Sequence, residues 1–215
     1  MVFTEKFDKL CEYESCEKLS EYNIDLIYRL SYDTNSFIRA LSAEILAKIP
    51  NERSKSILFM LANDRHCFVR TEAYDSLSVF SDKETAGLLS EKISSESDDL
   101  ALSYAVISFA QICRDMDMIN MGTEFLTSAA DKLTSERCTL CMYYAMYLLG
   151  KREYLRKIYS ILHCKDYRIV CMAVSLLSDI INNSNSKEII SEVNKIDNDT
   201  IAVQSSIKSF LEEYC

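Results

Sequence analysis

The chain nearly repeats itself. DTNSFIRALSAEIL, from Asp33 to Leu46, is followed by DRHCFVRTEAYDSL, from Asp64 to Leu77. Superposed, Asp33 falls on Asp64, Phe37 on Phe68, Ile38 on Val69, Arg39 on Arg70 and Leu46 on Leu77. The same template, anchored where Ile38 and Val69 stand, fits again at Ala101, Cys141, Ile169 and Val203. Four residues beyond the anchors come Ser42, Ala73, Ala105, Ala145, Ala173 and Ile207, and eight beyond come Leu46, Leu77, Phe109, Leu149, Leu177 and Leu211. That spacing is one stripe of an α-helix. Ahead of each helix lies another, marked by apolar pairs four apart: Leu26/Leu30, Ile57/Leu61, Leu89/Ile93, Ala129/Leu133, Ile158/Leu162 and Ile189/Val193. A period of this length describes stacked helical hairpins, none able to bury its apolar face alone.

The punctuation agrees with helices. Only three Gly and one Pro occur in 215 residues, too few for the turns of most all-β folds. Pro50 and Asn51 separate two helices, Ser81 with Glu84 reads as a capping box, and Gly150 stands where a helix ends. The longer interval between Ala101 and Cys141 places an insertion near Arg114–Gly122. Phe3, Phe7, Leu10 and Cys11 form an amphipathic stripe suited to covering the first layer. The expectation is one all-α domain over 1–215, a right-handed α-solenoid of about six helical hairpins. A capping helix takes 1–21, repeats take 22–182, and a capping repeat rich in Asn, Ser, Lys and Glu takes 183–215.

The apolar–Arg pairs Ile38–Arg39 and Val69–Arg70, each with an Asp six residues before the Arg, give the chain a family likeness. It resembles the HEAT-repeat proteins, especially their short bacterial HEAT-like form with an armadillo-type superhelix. The resemblance covers about 22–215 and departs from the pattern in later copies, where Leu102, Met142, Val170 and Gln204 replace the Arg. It implies that Asp33 and Asp64 cap the second helix of each hairpin, while Arg39 and Arg70 bridge neighbouring layers as a structural ladder. It also implies two enzyme alternatives, alkylpurine DNA glycosylase and phycobilin lyase, since HEAT-like proteins include both.

No catalytic constellation accompanies this pattern. His66 and His163 are each followed by Cys, but neighbours along a helix diverge and cannot pair as nucleophile and base. Cys138-x-x-Cys141 has zinc-ligand spacing, with His163 and Cys164 as further donors in the next layer. Cys141, however, fills an anchor column otherwise held by Ile, Val and Ala, so the thiols read as small core hydrophobes. The expectation is no metal, no cofactor and no enzyme activity.

The expected function is binding. The net charge of −9 disfavours a phosphate-tracking groove. The basic side chains of Lys151, Arg152, Arg156 and Lys157 cover one side of a single helix and read as a solvated face. No apolar run reaches the ~20 residues of a membrane span, no leader is visible at the start, and nine irregular cysteines suit a reducing cytoplasm. In a HEAT-like array the second helices line the concave side. Positions three and six beyond the anchors then place Glu44, Glu72, Asp75, Tyr104, Tyr144 and Tyr147 on that side, joined by Tyr143 at position two. The expected site is an acidic, Tyr-rich groove that takes a protein or peptide with a basic segment on a monomeric scaffold.

Overall fold

Helix starts are set by side chains that accept hydrogen bonds from first-turn N–H groups. Ser20, Asn35, Asn51, Asp82, Asp98, Ser135 and Asp166 do so. The computed structural model describes residues 1–16 and 18–214, which form thirteen α-helices and no strand. They are α1 (Phe3–Ser15), α2 (Glu21–Leu30), α3 (Ser36–Leu46), α4 (Glu52–Leu61), α5 (Cys67–Ser76), α6 (Lys83–Ser95), α7 (Asp99–Asp115), α8 (Ile119–Ser128), α9 (Glu136–Leu148), α10 (Tyr154–Ile161), α11 (Tyr167–Ile180), α12 (Ser186–Val193) and α13 (Ile201–Tyr214).

The odd-numbered helices stack in one row, α1 on α3, then α5, α7, α9, α11 and α13. The even-numbered helices form a second row and pack chiefly on odd-numbered neighbours, with at most slight contact among themselves. A row packed tightly beside a splayed one curves toward the tight side, so the odd helices line the concave face. Their anchor columns are buried throughout: Ile38, Val69, Ala101, Cys141 and Val203 are fully covered and Ile169 nearly so. The core runs along the array in two sections that share α9. Cys138, Ala145 and Met146 of that helix face the earlier layers, and Leu140, Cys141 and Tyr144 the later ones.

Two readings of the sequence change, and a third is extended. The box at Ser81 is absent: Asp82 caps α6, accepting from Thr85 N–H at 2.9 Å. The buried pair of α8 is Gly122/Leu126, whereas Ala129 and Leu133 lie beyond the end of the helix. The extra residues are divided: α7 runs on for 17 residues to Asp115, against 11 in α3, so part of the insertion lies where the sequence placed it, and the rest lies in the α8–α9 connection around a 3-10 turn at Ala130–Lys132. Gly122 is needed there, because a Cβ would stand 3.0 Å from Cys113 Cβ and 3.3 Å from Leu149 Cδ1. Gly150 does end α9, at φ +82°, with Lys151 N–H reaching Met146 O and Gly150 N–H reaching Tyr147 O.

Candidate functional site

The Asp and Arg columns meet in a register different from a simple cap. Asn35, not Asp33, caps α3; Asp33 accepts from Asn35 N–H and Asp64 from His66 N–H, which closes the turn before each helix. Each Arg holds its own turn through backbone carbonyls, Arg39 at Asp33 and Thr34, Arg70 at Asp64. The free edge of each guanidinium reaches the following turn. Arg39 pairs with Asp64, while Arg70 pairs with Glu96 through two bonds of 2.7 Å. Lys6 extends the row backward to Asp33. Arg70 and the Asp64 carboxylate therefore do not pair. Glu96 stands in the same column as Asp33 and Asp64, five residues before an anchor, which is the signal that would have revealed it.

Burial works against the Glu96 carboxylate, but Arg70 and the N–H groups of Asp98 and Ser97 outweigh it and hold the pKa at about 2. Tyr74 adds its hydroxyl at 3.0 Å. The row stops at α7, where Leu102 replaces the Arg; Arg168, further along, turns back on Asp166 of its own turn.

On the concave side, α3, α5 and α7 bring four of the candidate residues together. Glu44 and Asp75 are exposed, and Glu72 and Tyr104 are half-buried. None of the three acids is ion-paired among the described residues. Burial between the helices, then repulsion from Glu44 and Asp75, pushes Glu72 up to about 7. Glu44 is raised by burial and by Glu14 and Asp75, and Asp75 by burial alone. Tyr104 is raised by burial, then by Asp75 and Glu72, which sets its phenol against this acidic group.

The other three tyrosines do not continue the groove. Tyr144 is 3% exposed and sits in the core between layers. Tyr143 turns toward the even-numbered row and packs on Tyr154 at 5.8 Å, with the Lys157 ammonium over both rings. Tyr147 accepts a hydrogen bond from Asn185 Nδ2, ahead of α12. Position two beyond an anchor is thus lateral: Ala40, Thr71 and Ser103 are buried there. The face is acidic with a single tyrosine.

Cys138 and Cys141 are both fully buried. Burial, then the neighbouring Cys138, pushes the Cys141 thiol up to about 12, far from a thiolate ligand. The Cys138 thiol instead approaches Asp99 O at 3.5 Å. The described residues contain no group of three or more His, Cys, Asp or Glu placed to hold a metal ion, and no helix long and apolar enough to cross a membrane.

No family model and no curated protein matches the chain. Solved structures do. The complex of CpcE and CpcF of phycocyanin lyase from a Nostoc species superposes with a TM-score of 0.62 at 13% identity, over 98% of this chain and 89% of that one. The E. coli protein YibA gives 0.56 at 15% identity, over 94% of this chain and 74% of that one. At such identities the likeness is one of fold. With its two helical rows and its Asp/Glu–Arg turns, the chain is an α-solenoid of the HEAT-like, armadillo type.

Proposed function

We propose that the protein is a binding module that takes a basic segment of a protein partner on the acidic face of α3, α5 and α7. The observation that carries this reading is the unpaired cluster of Glu44, Glu72 and Asp75. Three carboxylates held close together in a partly desolvated concavity repel one another, and cationic side chains from a partner would relieve that cost. Leu41, half-buried beside them on α3, offers apolar area to the aliphatic parts of the segment. The Nostoc structure is itself a complex of two chains, which is in keeping with a protein as partner. We place the protein in a reducing compartment on the same reading, its eight described cysteines all being unpaired. Catalysis is not part of the proposal.

The test is a fluorescence anisotropy titration with a labelled amphipathic peptide of Lys and Leu, and with its counterpart in which Glu replaces Lys. Saturable binding of the first peptide alone, weakened at least tenfold in a Glu72→Lys/Asp75→Lys variant, is the expected result. Equal affinity in the variant would move the site elsewhere. Absence of saturable binding would remove the reading.

A further inference from the structure

Phe37 and Phe68 superpose in the repeated sequence, and both rings stand in solvent, 59% and 46% exposed. A single exposed ring needs no explanation, but the same ring at the same position of successive layers makes a surface. Phe37, Leu41 and Glu44 follow one another at i, i+4 and i+7 and so share one face of α3. Phe68, Glu72 and Asp75 do the same on α5, and Leu100 and Tyr104 on α7. That face is the acidic one. The ion pairs Arg39–Asp64 and Arg70–Glu96 tie the turns ahead of α3, α5 and α7 side by side, so these helices start at one edge. Phe37, Phe68 and the half-buried Leu100 therefore form an apolar row along that edge, with Glu44 and Asp75 as an acidic row further along the helices. At α9 the corresponding Leu140 and Tyr144 are buried, and the face ends.

Two dimensions select the occupant. Along α3 and α5, seven residues separate the apolar row from the acidic row, roughly 10 Å of helix. Across the helices, successive layers stand about 8–10 Å apart. An α-helix is about 10 Å wide and advances roughly 10 Å in about seven residues, so one laid across the layers meets both rows and repeats in step with them. An extended strand is too narrow to touch both rows, and its same-face residues recur every ~7 Å, out of step with the layers. We propose that the partner docks as an amphipathic α-helix lying across α3, α5 and α7. Its apolar residues, about seven apart, rest on Phe37, Phe68 and Leu100, and its Lys or Arg residues lie over Glu44, Glu72 and Asp75. The proposal rests on the acidic face described above and adds to it the partner's conformation and a second row of contacts. The unpaired carboxylates set the charge of one flank of the helix, and the exposed rings make the other apolar. The distance from α3 to α7 takes about four helical turns.

The experiment is a fluorescence anisotropy titration of the full chain with two labelled peptides of identical composition, each about sixteen residues of Leu, Lys, Ala and Gln. In the first, Leu recurs at heptad spacing on one flank of the helix and Lys on the adjoining flank. In the second, the order is shuffled so that no helical face forms. The phased peptide is expected to bind at least tenfold more tightly than the shuffled one and to gain helical circular dichroism on binding. Phe37→Ser/Phe68→Ser should weaken the phased peptide at least tenfold, leave the shuffled one unchanged and keep the thermal midpoint. Phe68→Leu should retain most of the affinity, which separates lost apolar contact from lost folding. Equal affinities for the two peptides, both falling in Glu72→Lys/Asp75→Lys, would leave the acidic face in place and overturn the helix. An affinity for the phased peptide unchanged in Phe37→Ser/Phe68→Ser would overturn it as well. Absence of saturable binding of both peptides would remove the helix and the acidic face together.

Discussion

Arg39 makes two parallel hydrogen bonds, of 2.7 and 2.8 Å, to the carboxylate of Asp64. The two residues belong to successive layers, and each also organises its own turn. The same arrangement recurs between Arg70 and Glu96, so three layers are tied together by charge-assisted bonds at the edge of the apolar stack. These pairs set how one hairpin is placed on the next, a constraint that apolar contact, being non-directional, supplies poorly.

Arg70→Ala should therefore be costly through Glu96 rather than Asp64. It leaves a carboxylate with 4% side-chain exposure facing a vacated guanidinium site, with Tyr74 and two backbone N–H groups as its remaining partners. A loss of about 2–4 kcal/mol is expected in urea denaturation. Asp64 keeps Arg39 in this variant, but Arg70 also donates to the Asp64 carbonyl, so the costs of Arg70→Ala and a second substitution at Asp64 should not add, both acting on one turn. Simple additivity would mean that the two ion pairs act independently.

Acid should weaken the same bonds. The pKa of Glu96 is about 2 in the folded chain, below its ordinary 4.5, so its contribution is complete above about pH 4.5 and declines as the pH falls toward 2. Glu72 has the opposite sign. Its folded pKa near 7 means that the folded state holds the proton more tightly, and stability falls as the pH rises from about 4.5 to 7. Glu72→Gln should remove that slope and raise stability at pH 8 by about 1–2 kcal/mol after allowance for solvent screening. Denaturation midpoints of the two proteins across pH 4–8 check both signs.

The two helical glycines outside the α9 terminus should respond oppositely to a methyl group. Gly122→Ala presses a Cβ onto Cys113 and Leu149 across the α7–α8 contact, and a loss of about 1–3 kcal/mol is expected. Gly87, inside α6, has nothing within 4 Å of such an atom. Gly87→Ala should stabilise by about 0.5–1 kcal/mol through helix propensity. Thermal midpoints moving apart in this way would verify how closely α8 approaches α7.

The row of odd-numbered helices was legible because its anchors obey the helical period and fall where every layer must be apolar. The α8 pair was missed because Gly122 carries no hydrophobic signal: it is buried for close approach, which periodicity does not register. Glu96 was passed over because its layer lacks the Arg that would have marked the column. The three tyrosines of α9 illustrate the limit of counting positions. Position three beyond the anchor is half-buried at Glu72 and Tyr104, yet buried at Tyr144, because the rotation of each helix against its neighbours is set by packing volume. Composition alone does not give that rotation.

That difference between Tyr104 and Tyr144 yields a direct test of face against core. Tyr144→Ala should empty a fully packed site and cost about 3–5 kcal/mol, with any effect on binding arising through unfolding. Tyr104→Ala removes a half-buried ring beside Glu72 and Asp75, so its cost in stability should be smaller. If the acidic face receives a basic segment, Tyr104→Ala should also weaken the Lys/Leu peptide in the fully folded protein, and the affinity of the parent chain should follow Glu72. The peptide favours the ionised carboxylate, so binding should be weaker at pH 6 than at pH 8 and should release protons at intermediate pH. Calorimetric titrations in two buffers of different ionisation enthalpy measure that release. Glu72→Gln should abolish it, and an unchanged proton release in Glu72→Gln would show that the peptide binds without using this carboxylate.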